Sequence, residues 1–571
     1  MTHRELFSDA RWLSPKGDAD AALFRATFTN NKAQSAEITI CGLGYFILYI
    51  NGQRVSTDEF APAYTDYHNR PDMVLSYPLN DVWSHRIHVM KYDISAFLRE
   101  GENVLGVMVG GGFYHQLLRK GEGDVSYGRI KLCYKIDFED GTTFVSDKNT
   151  KYQRGFFMSS NLFHGERHDY SRFDRSWNTE NAQSHGWATP DVVTAPLSEY
   201  YIQDCPSDRV IETLKPELVK EFDTYSVYKV ERNITGYPVI RCDDRGEHIW
   251  CECAEEIDGD MNIDNTSVGY GEQRQRFFAL TDGTDNLYHP YFTWFGFQYF
   301  ALSNNAKPDH IRVIHTDMKV TSSFECSDET LNWFYNAFIN TQLSNSHGCI
   351  PSDCPHRERL GYTGDGMLTC NAVMTEFDAE AFYKKWIEDI KDCQDRTTGH
   401  VQHTAPFAGG GGGPAGWGGA MIVVPYHFYR HYGNLDALRA VYPNMAKFVG
   451  YMESRCENGL VVREEKDGWC LGDWCTPERV TIPEPFVNTT LYITQLKMLV
   501  HLCKAIDIDT AEYEKLIDEH TKAVCEAYAD GDGGFLKGLQ GADAFAAECG
   551  AGDSGTCLLY TSPSPRDATL S

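Results

Sequence analysis

Over the first 190 residues, apolar side chains come in short runs and at alternate positions, the period of a strand that shows one face to a core. Tyr45–Ile50, reading YFILYI, is rich in aromatic and β-branched residues and runs into Asn51-Gly52, a strong hairpin signal. Val104–Val109 follows the turn Gly101-Glu-Asn103 as another strand, and Gly110–Gly112 then set Phe113 and Tyr114 at a sheet edge. No P-loop lysine or helical period follows those glycines, so they do not mark a nucleotide site. From 191 to 318 the strand pattern continues through Pro238–Arg241, His248–Cys251 and Val268–Tyr270 into the aromatic run Tyr291–Ala301, YFTWFGFQYFA. A run of this kind belongs to packing against the next domain rather than to a cofactor.

Near Ser327 the period lengthens to 3.6. Ser327 reads as an N-cap with Asp328 and Glu329 in the first turn, and Leu331, Phe334, Phe338 and Ile339 form a stripe. Further helices are expected around Phe382, Trp386 and Ile390, over 420–432 up to Gly433-Asn434, and over Leu435–Met452, Thr489–Ile506 and Ala511–Ala529. The division expected is therefore 1–190 and 191–318 as two jelly-roll-like β-sandwiches and 319–557 as a helical domain.

Composition narrows the function. With 571 residues the chain exceeds one core. Lys and Arg total 52 against 81 Asp and Glu, a net charge of −29 that repels phosphate backbones and anionic membranes. Nucleic acid and membrane are not expected partners. The start, MTHRELFSDARW, has no charged-then-apolar leader pattern and no run of eighteen apolar residues occurs, which suits a cytoplasmic protein. The 18 cysteines lack zinc-finger spacing and read as reduced core thiols.

The chemistry concentrates in Ser352–Asp365, SDCPHRERLGYTGD, with carboxylates Asp353, Glu358 and Asp365 and guanidinium groups Arg357 and Arg359. Pro355, Gly361 and Gly364 predict a structured loop that feeds a helix with Asp365 in its first turn. Glycosidic cleavage needs a carboxylic acid to protonate the leaving oxygen, a second carboxylate on the opposite face and polar groups on the hydroxyls. On charges alone, a solvated loop of paired Asp, Glu and Arg explains the stretch as well.

The string D-C-P-x-R-E-R-x-G-Y-x-G-D closely resembles the signature of the bacterial α-L-rhamnosidases, inverting glycoside hydrolases, with Tyr362 where Trp is usual. The resemblance implies Glu358 as general acid, with Asp353, Arg357 and Asp365 on the rhamnose hydroxyls and Tyr362 lining the pocket. The pieces LYING and GENVLGV look like the β-sandwich at the front of such enzymes, and YFTWFGFQYFA like the strand before their catalytic domain. The helices then imply an (α/α)6 barrel, a plain helical array being the fallback. Trp417-Gly-Gly-Ala resembles W-G-D-A with Gly419 in place of Asp, and Gly472-Asp473-Trp474 matches G-D-W. Trp417 and Trp474 would offer an apolar wall to the C6 methyl of a 6-deoxy sugar. The five glycines Gly409–Gly413 allow close backbone approach or act as a linker.

An inverting enzyme also needs a base carboxylate roughly 6.5–9.5 Å from the acid. In the family that Glu lies further along the barrel, and Glu478 and Glu484 match no family position. The end, about 558–571, looks like translated adapter read-through, so the expectation is a truncated, partial barrel that lacks the base and is inactive. The alternatives are another (α/α)6 carbohydrate-active enzyme or a non-catalytic carbohydrate-binding protein. The expected partner is a rhamnose-containing oligosaccharide or glycoside, and a homo-oligomer is compatible. The mechanism requires no metal and no organic cofactor, with a calcium ion in a β domain left open.

Overall fold

The structure is a computed structural model and describes residues 1–70, 84–116, 126–269, 273–284, 286–408, 416–463, 472–473, 481–530, 533–537 and 539–552. It divides into two compact units, Met1–Met73 with His85–Leu360, and Val74–Ser84 with Gly361–Ser571.

The first unit is mostly β. Residues 21–30, 45–50, 53–54, 101–110 and 151–153 form a five-stranded sheet, in which 21–30 and 101–110 pair antiparallel along their whole length. The expected hairpin is there: Asn51 and Gly52 both have positive φ, 52° and 83°, as a tight primed turn requires, and Ile50 pairs with Gln53. A seven-stranded sheet, centred on 36–43 and 131–138, provides the other layer. Phe24, Leu48 and Val107 from one layer and Ile38, Leu132 and Ile136 from the other fill a shared core. Alternation along each strand is what points these side chains inward.

A third, eleven-stranded sheet is built around the long strand Tyr225–Arg241, which pairs with Phe295–Ser303 on one side and Lys307–Thr316 on the other. Its pairing crosses the sequence division drawn at 190. Phe157–Asn161 and Gly165–Asp169 join this sheet through Gln275–Asp282, while Asp191–Val193 and Glu199–Ile202 complete the seven-stranded one. Hydrophobic period reports that a segment is a strand, but not which sheet accepts its edge.

The aromatic run is buried at Phe292, Trp294, Phe295, Phe297 and Phe300. Helix Glu329–Ser344 is capped by Asp328, whose carboxylate accepts from the amides of Thr330 and Leu331, one residue later than Ser327. Its expected apolar stripe is exposed at Leu331, 51%, and Phe334, 64%, and half-buried at Phe338 and Ile339, and Asn340 ties the helix to the sheet through Arg232 and Asn233.

The second unit is helical, with Thr363–Glu376, Glu380–Asp392, Ala420–Tyr432, Leu435–Glu453, Glu484–Ala505, Ala511–Tyr528 and Gln540–Cys549 among the described residues. Gly433, left-handed at φ 65°, ends the third, and Glu484–Ala505 starts five residues before the apolar period suggests, behind Pro483. Phe486, Ile493, Val524, Ala542 and Ala546 form one of its cores. The described residues contain no helix long and apolar enough to cross a membrane.

Candidate active site

The first half of the motif, Asp353–Leu360, is a loop in the β unit. Its anchor is Arg359, only 3% exposed although it carries a guanidinium. Nε donates to the Pro355 carbonyl at 2.9 Å, Nη1 to the Leu162 carbonyl at 2.5 Å and Nη2 to Gln275 Oε1 at 3.1 Å. The cation also lies 5.2 Å from the Trp294 ring. A φ of 59° at Arg359, costly for a residue with a Cβ, turns the backbone so that this side chain points inward. Gln273 Nε2 donates to the carbonyls of His356 and Arg357, at 3.4 and 3.1 Å. Gly296 permits Pro355 to approach closely: a Cβ there would stand 2.9 Å from it.

On this scaffold the loop folds back on itself. The Asp353 amide donates to the Leu360 carbonyl at 3.3 Å, and Asp353 Oδ1 accepts the Leu360 amide at 3.4 Å. Cys354 Sγ donates to Asp353 Oδ2 at 2.8 Å and accepts the Glu358 amide at 3.3 Å. An oxygen of Asp353, an oxygen of Glu358 and Cys354 Sγ thus lie within 4.8 Å of one another. Arg357 Nη2 reaches Glu358 Oε2 at 3.3 Å. Burial lowers the Arg357 pKa, but Glu358, Cys354 and Asp353 outweigh it and hold the guanidinium above its ordinary value. The Cys354 thiol is pushed up to about 12 by burial and by Asp353. It therefore stays a protonated donor to Asp353. A second trio, Glu453, Cys456 and His520, brings its ligand atoms as close. There His520 Nε2 and Glu453 Oε1 bond each other at 2.9 Å and burial pushes the Cys456 thiol up to about 12.

The second half, Gly361–Asp365, opens helix Thr363–Glu376 in the helical unit. Tyr362 precedes it with extended φ and ψ of −61° and 124°, and its buried ring lies 5.7 Å from that of His403. Asp365 is half-buried in the first turn, as expected. Trp417 packs across the helix start, where a Cβ on Gly364 would come within 2.7 Å of its Cε2. Gly419, standing where the family string has Asp, is the N-cap of Ala420–Tyr432 and offers no side-chain acceptor. An Asp there would accept from the first-turn amides, so the departure removes a helix cap. Trp474 and Glu478 lie outside the described residues. Glu484 pairs with Arg463 at 3.5 Å.

Sequence reading thus finds the carboxylates but misses what positions them: Cys354, Gln273 and Gln275. The available signal was Gln275 at a buried place of an alternating strand, a polar residue on an apolar face, with Gln273 buried two residues before it.

Residues 31–77 and 71–212 match the alpha-L-rhamnosidase N-terminal domain, 220–322 the bacterial alpha-L-rhamnosidase concanavalin-like domain, and 319–554 the bacterial alpha-L-rhamnosidase 6 hairpin glycosidase domain. The chain belongs to the bacterial α-L-rhamnosidase family. It is 28% identical over 556 residues to an alpha-L-rhamnosidase of Formosa agariphila, covering 88% of this chain and 55% of that one. A Streptomyces avermitilis alpha-L-rhamnosidase is 25% identical, with 88% and 48% covered. The chain spans about half the length of these curated relatives. Among solved structures, the alpha-L-rhamnosidase from Dictyoglumus thermophilum superposes with a TM-score of 0.83 at 24% identity, over 96% of this chain and 63% of that one. The Streptomyces avermitilis alpha-L-rhamnosidase complexed with L-rhamnose gives 0.85 at 24% identity, over 95% and 52%. These likenesses give the fold of this rhamnosidase-family chain: N-terminal β domains followed by helices of the (α/α)6 type.

Proposed function

We propose that the motif releases terminal α-L-rhamnose from oligosaccharides or glycosides by inverting acid/base hydrolysis. The observation that carries this reading is the placement of the Asp353 and Glu358 carboxylates within 4.8 Å of one another, inside the family string. Glycosidic cleavage uses a carboxylic acid flanked by polar groups that hold the sugar, and Glu358 stands beside Asp353 and Arg357. In this reading Glu358 gives its proton to the departing glycosidic oxygen. Asp353, Arg357 and Asp365 hold hydroxyls, and Tyr362, Trp417 and Trp474 supply ring surface to the sugar. A water then attacks from the opposite face, which requires a base carboxylate; Glu484, engaged with Arg463, is not assigned that role.

The test has a binding part and a turnover part. L-Rhamnose binding by calorimetry should persist in Glu358→Gln and weaken in Asp353→Asn. Release from a rhamnoside with a poor leaving group should fall by about 10² to 10⁴ in Glu358→Gln, with an activated aryl rhamnoside affected less. The first product, read by NMR, should be the β-anomer. Measurable turnover that is equal in wild type and Glu358→Gln sinks the acid role, and an α-anomer first sinks inversion; L-rhamnose binding without turnover in either is the outcome expected where the base is missing.

A further inference from the structure

The β unit carries a groove that the motif chemistry does not use. Strand Gln275–Asp282 alternates strictly, with Gln275, Phe277 and Ala279 buried and Arg276 and Phe278 on the outer face. Arg167 on the parallel neighbour stands opposite Phe278, its guanidinium 5.1 Å from the ring, and Trp250 flanks Phe278 on the other side. Two cavities open along this face. One, of about 350 Å³, is lined by Arg167, Arg276 and Phe278 and also by the carboxylates Asp20 and Glu166, the second of which is buried and engaged by Ser160, His168 and the amides of Tyr291 and Phe292. The other, of about 380 Å³, is lined by Glu252, Asn265 and Gly269, and Arg274 lines both. At its far end the second reaches the motif: a Cβ on Gly269 would lie 3.6 Å from Arg357 Nη1.

One carboxylate orients the polar groups here. Glu252 accepts Nε of Arg276 at 2.9 Å and the Asn265 amide at 2.8 Å, and lies 3.7 Å from Arg274. That leaves both Nη groups of Arg276 and the whole guanidinium of Arg167 without a hydrogen-bond partner among the described residues. In a chain of net charge −29, two guanidinium forks on neighbouring strands, two residues apart in register, mark this face. Planar forks recognise carboxylate or sulfate two oxygens at a time.

We propose that this groove binds an acidic saccharide, a sugar bearing a carboxylate or a sulfate ester, as the continuation of the rhamnoside held at the motif. Its place beside the leaving group rests on the rhamnosidase reading; its affinity for anionic sugar does not. The full chain would be titrated by calorimetry with trigalacturonate, its carboxyl-reduced neutral counterpart and a monosulfated disaccharide. At least one anionic ligand should bind about tenfold or more tighter than the neutral one, and more weakly as salt rises from about 50 to about 200 mM. The anion that wins names the source of the charge. Arg276→Gln and Arg167→Gln, both solvent-facing and checked for an unchanged melting temperature, should each weaken that binding about tenfold. Equal binding of neutral and anionic ligands, no binding, or wild-type affinity in both variants overturns the proposal. Glu358→Gln should leave this binding intact. If L-rhamnose fails to bind while the anionic saccharide still does, the motif reading falls and the groove stands.

Discussion

The motif is held by different physics on the two sides of Gly361. Before it, Asp353–Leu360 is fixed by hydrogen bonds: three from Arg359, two from Gln273, and the closed set among Asp353, Cys354 and Glu358. After it, Tyr362–Asp365 meets packing surfaces, a ring beside His403 and an indole against a glycine. It is tied to the neighbouring segment 402–405 by the Thr363 amide to the His403 carbonyl at 2.8 Å, Thr363 Oγ1 to the Gln402 carbonyl at 3.2 Å and the Ala405 amide to the Gly361 carbonyl at 2.9 Å. A loop with an irregular backbone and buried polar groups needs directional partners, since each unmatched group costs about 1–3 kcal/mol. A helix start leaves only its first amides to be matched, and here the His403 carbonyl takes the one from Thr363.

The first way to break this contrast is Arg359→Met, which keeps length and apolar bulk but strips partners from the Pro355 and Leu162 carbonyls and from Gln275. The expected loss is on the order of 3–5 kcal/mol. It should appear as a much lower melting temperature for the β unit, with reduced affinity for L-rhamnose in whatever folds. Arg359→Lys should rescue little, because a point ammonium cannot serve three diverging acceptors. A melting temperature within a degree or two of wild type would show that packing, not the fork, holds the loop.

Gly364→Ala probes the other side. Alanine favours a helix over glycine by about 0.5–1 kcal/mol, but the added methyl would meet the Trp417 ring at 2.7 to 3.0 Å. Overpacking of that kind costs about 1–3 kcal/mol, so a net loss of about 1–2 kcal/mol is expected, together with shifted tryptophan emission as the indole moves. An unchanged spectrum with raised stability would mean that Trp417 yields freely and does not define a sugar wall.

The contrast also explains what was legible in the sequence. Packing follows periodicity, so the strands 45–50 and 101–110 and the helix 420–432 stand where their apolar residues place them. The carboxylates of the motif are legible because a short string carries them. Less legible are features that depend on distant partners. The edge strands 157–161 and 165–169 cross to another sheet, and Gln275 serves both Gly296 and Arg359. The partly exposed stripe on Glu329–Ser344 shows the same limit, since periodicity marks an apolar face without saying what covers it.

The last test asks how far packing alone carries the helical unit. There Glu453, at the end of Leu435–Glu453, accepts from Tyr492 at 2.8 Å and bonds His520 at 2.9 Å, while His520 Nδ1 lies 2.7 Å from the Gly459 carbonyl. Burial alone would lower the His520 pKa, but Glu453 and the Gly459 carbonyl raise it above 6.5. For Glu453, burial raises, and His520 and Tyr492 more than reverse it, leaving the value below 4.5. The signs set the window. A raised histidine stabilises fully below its unfolded value and loses that contribution as pH climbs through the folded one; a lowered glutamate stabilises above its unfolded value and loses it on acidification. Both contributions are present between about pH 4.5 and 6.5. Replacing His520 with Gln should therefore cost about 1–2 kcal/mol near pH 6 and less near pH 8, read as a melting-temperature difference that narrows as pH rises. A pH-independent loss would mean that the ring matters for its volume against Tyr492, 5.2 Å away centre to centre, and that packing governs this unit throughout.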